Sequence, residues 1–375
     1  MRYVLVAVLG LTIHTHSNES VADDKERAGD LQLALFDQSE SYEELNSGHL
    51  NFTPSGRIPP NISVDRGDSE GSSSSQQHFS LWKRSAFNTS LGMSQRIGSL
   101  SWSIASDMSG KRAPNVLSEL SYEGLEIRGF EVQSSVYFFG GLLDDSFLDV
   151  RLHRGVITGG ETRDSDYDGD NRTQEYSRSL SENTGDFVAD YSVAYGLNIV
   201  DKRGLSASAL AGYSLHQQYV RKQNAIRVSP DTELVLGDVI DGLNSTYQSQ
   251  WQGPWLGTSV SLHGKKHRLK LQGELHSALY YAEADWNLRD SFKHPKSFEH
   301  NASGLGWVVD VSYAYAFDIS QGNKTTLGLS YRAEDWAAED GVDTLYLASG
   351  EVVSTRLNEV AWGGSAVSVH LKILR

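Results

Sequence analysis

Five carboxylates fall within one twelve-residue window, residues 164–175, in the order typical of a calcium-binding loop. Three aspartates alternate with other residues, a glycine that permits a sharp turn follows, and a glutamate ends the window. The predicted ligands are Asp164, Asp166, Asp168, Asp170 and Glu175. Oxygen ligands at this density suit Ca²⁺ rather than Zn²⁺, which prefers His and Cys. The other interpretation is a solvated acidic loop with no defined ion site.

The composition of the chain favours an all-β protein and excludes several kinds of partner. Its 375 residues include 35 Gly, 17 Tyr and 8 Trp, with no Cys and a formal net charge of -15. The absence of Cys excludes disulfides and thiolate metal sites. The acidic balance argues against a nucleic-acid partner, because phosphate binding needs a basic surface.

The N-terminus has the pattern of an export signal. Arg2 precedes an apolar run at 3–13, and small residues at 20–22 suit a signal peptidase. We therefore predict a signal peptide at 1–22, an acidic, Ser-rich periplasmic segment at 23–86 and the folded part at 87–375. Because no later segment has the about 20 apolar residues of a transmembrane helix, the choice lies between an exported soluble protein and a transmembrane β-barrel.

Several segments alternate between apolar and polar residues with a period of two, which indicates strands. Residues 187–199 place Phe, Ala, Tyr, Val, Leu and Ile on one face, opposite mostly small or polar residues. We predict ten strands, at 98–108, 117–139, 147–157, 187–200, 205–219, 247–262, 267–281, 305–319, 325–336 and 356–374.

Three features of these strands favour a membrane barrel over a soluble sandwich. The strands exceed the usual length of about five or six residues. Aromatic residues cluster at their ends, and short turns alternate with long polar connections. The sequence therefore predicts a ten-stranded, antiparallel, up-and-down transmembrane β-barrel in the outer membrane. Its narrow lumen disfavours a passive pore and should be filled by polar side chains. These side chains would form either a stiffening plug of ion pairs or a relay. They include Asp149, Arg151, His153, Glu274, His276 and Asp310.

Short motifs in the same order resemble the omptins, a family of ten-stranded outer-membrane barrels that includes bacterial surface proteases. The resemblance covers about residues 87–375 and rests on the segments 116–122, 159–167, 195–199 and 211–213. It implies two facing catalytic pairs at the barrel mouth, an aspartate pair that holds water and an Asp–His pair. Asp164 and Asp166 match the first pair.

The second implied pair is absent in the simplest register, where Asn287 and Arg289 replace Asp and His. Because Arg cannot act as a base near neutral pH, we expect a surface structural or interaction role rather than proteolysis. The alternative is an omptin-type endopeptidase that uses Asp164 and Asp166 with His294, or with His300 on the same predicted loop. Expected partners are outer-membrane lipid, lipopolysaccharide, the barrel-assembly machinery and an unidentified extracellular ligand. The sequence ends in Arg375, whereas outer-membrane barrels usually end in an aromatic residue that the assembly machinery recognises.

Overall fold

The computed structural model describes residues 87–374, apart from 140–142, 233, 238, 321 and 322. The predicted signal peptide at 1–22 and acidic segment at 23–86 lie outside the described residues. The described strands are β1 (Phe87–Ile104), β2 (Ser118–Tyr137), β3 (Ser146–Gly169), β4 (Thr173–Glu182), β5 (Phe187–Lys202), β6 (Leu205–Arg227), β7 (Asn244–His263), β8 (His267–Asp285), β9 (Phe298–Ser320), β10 (Asn323–Tyr346) and β11 (Val352–Leu374).

Ten of these strands close into one antiparallel ring, which confirms the predicted fold. Each ring strand pairs with its neighbours in the chain, except that β3 is followed in the ring by β5. Strand β1 closes the ring by pairing with both β2 and β11. The one described strand outside the ring, β4, forms a hairpin with the last part of β3 and also pairs with β6. We call the side with the short connections the turn end and the opposite side the loop end.

Most strands extend farther toward the loop end than their sequence pattern predicted. The predicted strand at 147–157 continues to Gly169, and the one at 305–319 begins at Phe298. The long polar connection predicted between the strands at 147–157 and 187–200 is therefore mostly strand, because it forms the β3–β4 hairpin. The first predicted strand, at 98–108, was also misplaced, since β1 spans Phe87–Ile104.

The outer face of the ring carries exposed apolar side chains, as the alternation predicted. Exposed residues on β8 and β9 are Leu269, Leu271, Leu275, Leu279, Leu305, Trp307, Val309, Val311, Tyr313 and Tyr315. Such a continuous apolar surface requires a lipid solvent rather than water. Within the described part of the chain, no helix has the length and hydrophobicity to cross a bilayer.

Buried aromatic side chains fill the lumen toward the loop end. We define the aromatic layer as Trp102, Tyr122, Tyr247, Trp251, Tyr280, Phe298 and Trp336, all of which belong to one buried cluster. The rings of Trp251 and Tyr280 are 4.5 Å apart, and those of Trp251 and Trp336 are 6.2 Å apart. The layer thus closes this half of the barrel.

A cluster of charged groups crosses the lumen beside the aromatic layer. Asp190 accepts hydrogen bonds from Arg96 at 2.8 Å and from the rings of His153 and His216, each at 3.0 Å. Arg96 also pairs with Glu334. Five strands are joined in this way, because these residues lie on β1, β3, β5, β6 and β10.

A cavity of about 1280 Å³ occupies the half of the lumen nearer the turn end. All six residues predicted to point inward line it, namely Asp149, Arg151, His153, Glu274, His276 and Asp310. Arg151 pairs with Glu274 at 2.7 Å. The inward placement is confirmed, but the prediction that polar side chains fill the lumen was wrong, because this half holds a cavity and the other half holds aromatic rings.

Candidate functional site at the barrel mouth

The β3–β4 hairpin carries Asp164 and Asp166 to the barrel mouth. Asp164 lies opposite Leu120 of β2, and Thr162 lies opposite Tyr122. Both β2 side chains are 1% exposed within the core. Because paired residues of antiparallel strands project to the same face, Asp164 and Asp166 face inward, above the aromatic layer.

Each aspartate has a cation nearby. The carboxylate of Asp164 pairs with the ammonium of Lys222 on β6, and the two side chains are 17% and 7% exposed. The guanidinium of Arg289, on the β8–β9 loop, lies 4.0 Å from the carboxylate of Asp166. Burial and the nearby Asp164 carboxylate raise the pKa of Asp166, although Ser118, Arg289 and Lys222 act in the opposite direction.

The β8–β9 loop places Arg289 near the aspartate pair, whereas the side chain of Asn287 forms hydrogen bonds with the backbone. Asn287 accepts a hydrogen bond from the Asn244 amide at 2.8 Å and donates one to the Gly242 carbonyl at 2.8 Å. Neither Asn287 nor Arg289 supplies an imidazole or the carboxylate that would polarise one. The loop therefore brings a cation to Asp166 rather than a base.

His294 forms a pair with Asp285 instead of joining the aspartates. Its Nδ1 lies 2.6 Å from Asp285 Oδ1. Among the described residues, no hydrogen bond or ion pair connects His294 with Asp164 or Asp166. The structure thus provides an Asp–His pair on the expected loop but does not join it to the aspartate pair.

His300 is a buried strand residue, so its prediction as a loop histidine was wrong. It lies on β9 and is 0% exposed. Its Nδ1 is 2.8 Å from the Tyr247 hydroxyl, which is 2.6 Å from the Tyr280 hydroxyl. Its Nε2 lies 3.3 Å from Asp343. Sequence reasoning missed this buried network, although Phe298 and His300 are two residues apart, which is the spacing of side chains on one face of a strand.

The predicted calcium ligands are not gathered around one point. Asp164, Asp166 and Asp168 lie two residues apart along β3 and share a face, whereas Glu175 lies opposite Tyr167 and so projects to the other face.

The two remaining predicted ligands have protein partners. The side chain of Asp170 accepts a hydrogen bond from the Asn115 amide at 2.9 Å. Glu175 pairs with Arg178 at 2.5 Å. No group of three or more metal-binding side chains is found in the described ranges. Calcium binding stays a prediction that this arrangement does not support.

Comparison with known proteins identifies the family. A family model described as "Pom: Protochlamydia outer membrane protein" matches residues 90–374, which cover all ten ring strands except the first three residues of β1. The chain belongs to the Pom family. It is an outer-membrane β-barrel protein. A search of curated proteins finds no match to this sequence.

Solved structures resemble the Pom barrel in fold alone. The outer membrane protease OmpT from Escherichia coli matches with a TM-score of 0.60 at 10% identity, covering 76% of this chain and 95% of that chain. The translocator domain of the autotransporter NalP from Neisseria meningitidis matches with a TM-score of 0.35 at 9% identity, covering 79% of this chain and 90% of that chain. The second value is too low to support an argument.

The omptin resemblance is thus confirmed for the fold of this Pom protein, while the family is a different one. At 10% identity, the match to OmpT transfers no catalytic role to Asp164, Asp166 or His294. What these residues do has to be argued from their own contacts.

Proposed function

We propose that this Pom-family barrel acts at the cell surface as a binding protein and does not hydrolyse peptides. The observation that carries the proposal is an apolar crest on the β6–β7 loop, which we define as Leu234, Val235, Leu236 and Val239. Their side chains are 65%, 59%, 63% and 51% exposed. Long loops of outer-membrane barrels lie outside the cell, so these side chains face water rather than lipid. Clustered exposed apolar side chains in water are typical of an interaction site.

Backbone hydrogen bonds hold the crest in a defined shape. The Ser229 amide donates to the Leu234 carbonyl at 2.8 Å, and the Leu236 amide donates to the Arg227 carbonyl at 2.9 Å. The Ile240 amide donates to Ala225 at 2.7 Å. A loop ordered before binding loses less conformational entropy when a partner docks.

The charges around the crest indicate the chemistry of its partner. Acidic residues flank the apolar positions in the sequence, at 231, 233, 238 and 241. Lipopolysaccharide carries phosphates, which these carboxylates would repel. We therefore assign the crest to a protein partner with an apolar groove bordered by Lys or Arg, because opposite charges at an interface rim favour encounter.

The contacts of the aspartate pair support the non-proteolytic part of the proposal. A water-activating site needs carboxylates that hold the water by hydrogen bonds and a nearby base that removes its proton. Asp164 is paired with Lys222, and the cation nearest Asp166 is Arg289. Each aspartate of the pair therefore lies beside a Lys or Arg side chain and not beside an imidazole base.

Site-specific photo-cross-linking on intact cells tests the binding proposal. A photoreactive amino acid at position 236 should give a discrete protein adduct, whereas the same group at the exposed Ser349 of the β10–β11 loop should not. Leu234→Ser should abolish the adduct at 236, because it removes part of the apolar contact. Equal labelling from 236 and 349, or labelling that Leu234→Ser leaves unchanged, would contradict the proposal.

The alternative is an endopeptidase, and one observation favours it. The Asp285–His294 pair at 2.6 Å has the composition of a carboxylate-polarised base, and His294 lies on the same loop as Arg289, which reaches Asp166. The test is incubation of refolded protein and lipopolysaccharide with basic peptides. We expect no cleavage. Cleavage that both Asp166→Ala and His294→Ala abolish would establish the endopeptidase and overturn the non-proteolytic proposal.

A further inference from the structure

The cavity at the turn end is locally cationic in an acidic protein. Eight Lys or Arg side chains and six Asp or Glu side chains line it, which leaves a surplus of two positive charges, and five histidines add to it. The whole chain has a net charge of -15. The surplus is therefore a property of this site and not of the composition.

Two lysines supply cations without an acidic partner. Lys270 alternates on β8 with the exposed Leu269 and Leu271, so it points into the lumen. Lys372 alternates in the same way with Leu371 on β11. Among the residues that the structure describes, no carboxylate lies within 4.0 Å of either ammonium group.

Asp149 and Asp310 attract Lys270 from a distance, and Asp149 attracts Lys372, but no acid of the described residues forms an ion pair with either lysine. Asp149 accepts hydrogen bonds from Ser135 at 2.8 Å and Gln133 at 3.0 Å, and it lies 3.6 Å from Arg151. Asp190 is surrounded by Arg96 and two histidines. Asp310 lines the same cavity and makes no salt bridge within the described ranges.

Unneutralised like charges inside a narrow barrel are unfavourable for folding. Water and lipid surround the barrel, but the lumen has a lower effective dielectric than water, so repulsion among cations there is stronger. A buried or half-buried charge without a partner also loses hydration. A protein keeps such an arrangement at a cost to stability, which a bound anion would remove.

We propose that the turn-end cavity binds a small soluble oxyanion that carries at least two negative charges, with Lys270 and Lys372 as its main contacts. Phosphate and polycarboxylate groups have this chemistry, and ammonium groups form strong charge-assisted hydrogen bonds with them. The aromatic layer closes the other half of the lumen, so the anion enters from the turn end. In an outer-membrane barrel that end faces the periplasm.

Calorimetry with the refolded full-length protein tests this site, using pyrophosphate as the probe at low salt. We expect saturable binding that weakens at least about tenfold in Lys270→Gln and in Lys372→Gln, since each variant removes one charge-assisted hydrogen bond. Lys293→Gln is the matched control, because it makes the same charge change on an exposed loop residue and should bind as the wild type does.

Thermal unfolding provides a second measurement that does not depend on calorimetry. The double variant Lys270→Gln/Lys372→Gln should unfold at a higher temperature than the wild type without ligand, because it lacks the repelling cations. Pyrophosphate should raise the unfolding temperature of the wild type but not that of the double variant.

Three results would overturn the proposal. They are absence of saturable pyrophosphate binding, binding that Lys293→Gln weakens as much as Lys270→Gln, and binding of short-chain phosphatidylglycerol without binding of pyrophosphate. The last result would assign the site to a lipid headgroup rather than to a soluble anion.

Discussion

Replacing Asp190 by Ala should destabilise the barrel by about 3–5 kcal/mol, the usual effect of removing one partner from a buried ion pair. Asp190 accepts three hydrogen bonds, from Arg96, His153 and His216. The side chains of Arg96 and Asp190 are 4% and 8% exposed. Asp190→Ala therefore leaves a buried guanidinium with Glu334 as its remaining acidic contact and two imidazoles without their acceptor.

The position of the cluster favours the lower end of that range. Asp190, His153 and His216 line the turn-end cavity, from which water can enter and hydrate the groups that lose their acceptor. We therefore expect about 3 kcal/mol for Asp190→Ala and a smaller loss for Asp190→Asn, which keeps an acceptor oxygen for one imidazole. Asp310→Ala is the control, since Asp310 lines the same cavity without a salt bridge in the described ranges.

Urea unfolding of the refolded barrel in lipid vesicles, followed by Trp fluorescence, measures these differences. Migration of unheated protein on gels reports independently whether each variant forms the barrel. Losses for Asp190→Ala and Asp310→Ala that agree to within about 1 kcal/mol would refute the reasoning, because a surface-like ion pair contributes no more than that.

Three further predictions concern the aromatic layer, the mouth and the hairpin. Trp336 is 1% exposed and contacts the rings of His216 and His276, so Trp336→Ala should cost about 3–5 kcal/mol in the same assay, well above Leu275→Ala on the lipid face. Folding raises the pKa of Asp166 above 3.8, so its charged form lowers stability at neutral pH. Asp166→Asn should therefore raise the free energy of unfolding at pH 7, and this gain should vanish well below pH 3.8, where the carboxyl is protonated in both the folded and the unfolded state. Removal of calcium with a chelator should leave the unfolding temperature unchanged, and a calcium-dependent rise that Glu175→Ala abolishes would show that the hairpin rearranges to bind the ion.

The sequence predicted the ring well wherever one face of a strand meets lipid. β5 was predicted at 187–200 and spans Phe187–Lys202, and the predicted start of β8 at residue 267 is also the observed one. Lipid selects Leu, Val and aromatic residues at every second position, so the alternation marks each strand clearly.

Prediction failed where the strands leave the membrane. At the loop end the outer faces of β9 and β10 leave lipid and carry polar residues such as Glu299, Asn301 and Glu339, so the apolar alternation fades while the backbone pairing continues. Residues 164–175 were predicted as a loop because these acidic residues are flanked on both sides by other polar residues. The pairing of Tyr167 with Glu175 shows that a hairpin accommodates them equally well.

The mouth residues illustrate why residue types alone could not decide between catalysis and binding. Asp164 and Asp166 lie at the barrel mouth and face the lumen, and their match to a catalytic pair stays a prediction. Their chemistry depends on Lys222, which lies 58 positions along the chain from Asp164 and belongs to a different strand. No local pattern predicts that contact, because β3 and β6 are brought together only through their pairing with β4 and β5. Beside Lys222 and Arg289, the two aspartates form a cluster whose charges balance. The same two aspartates beside an imidazole base would have the groups needed to activate a water molecule.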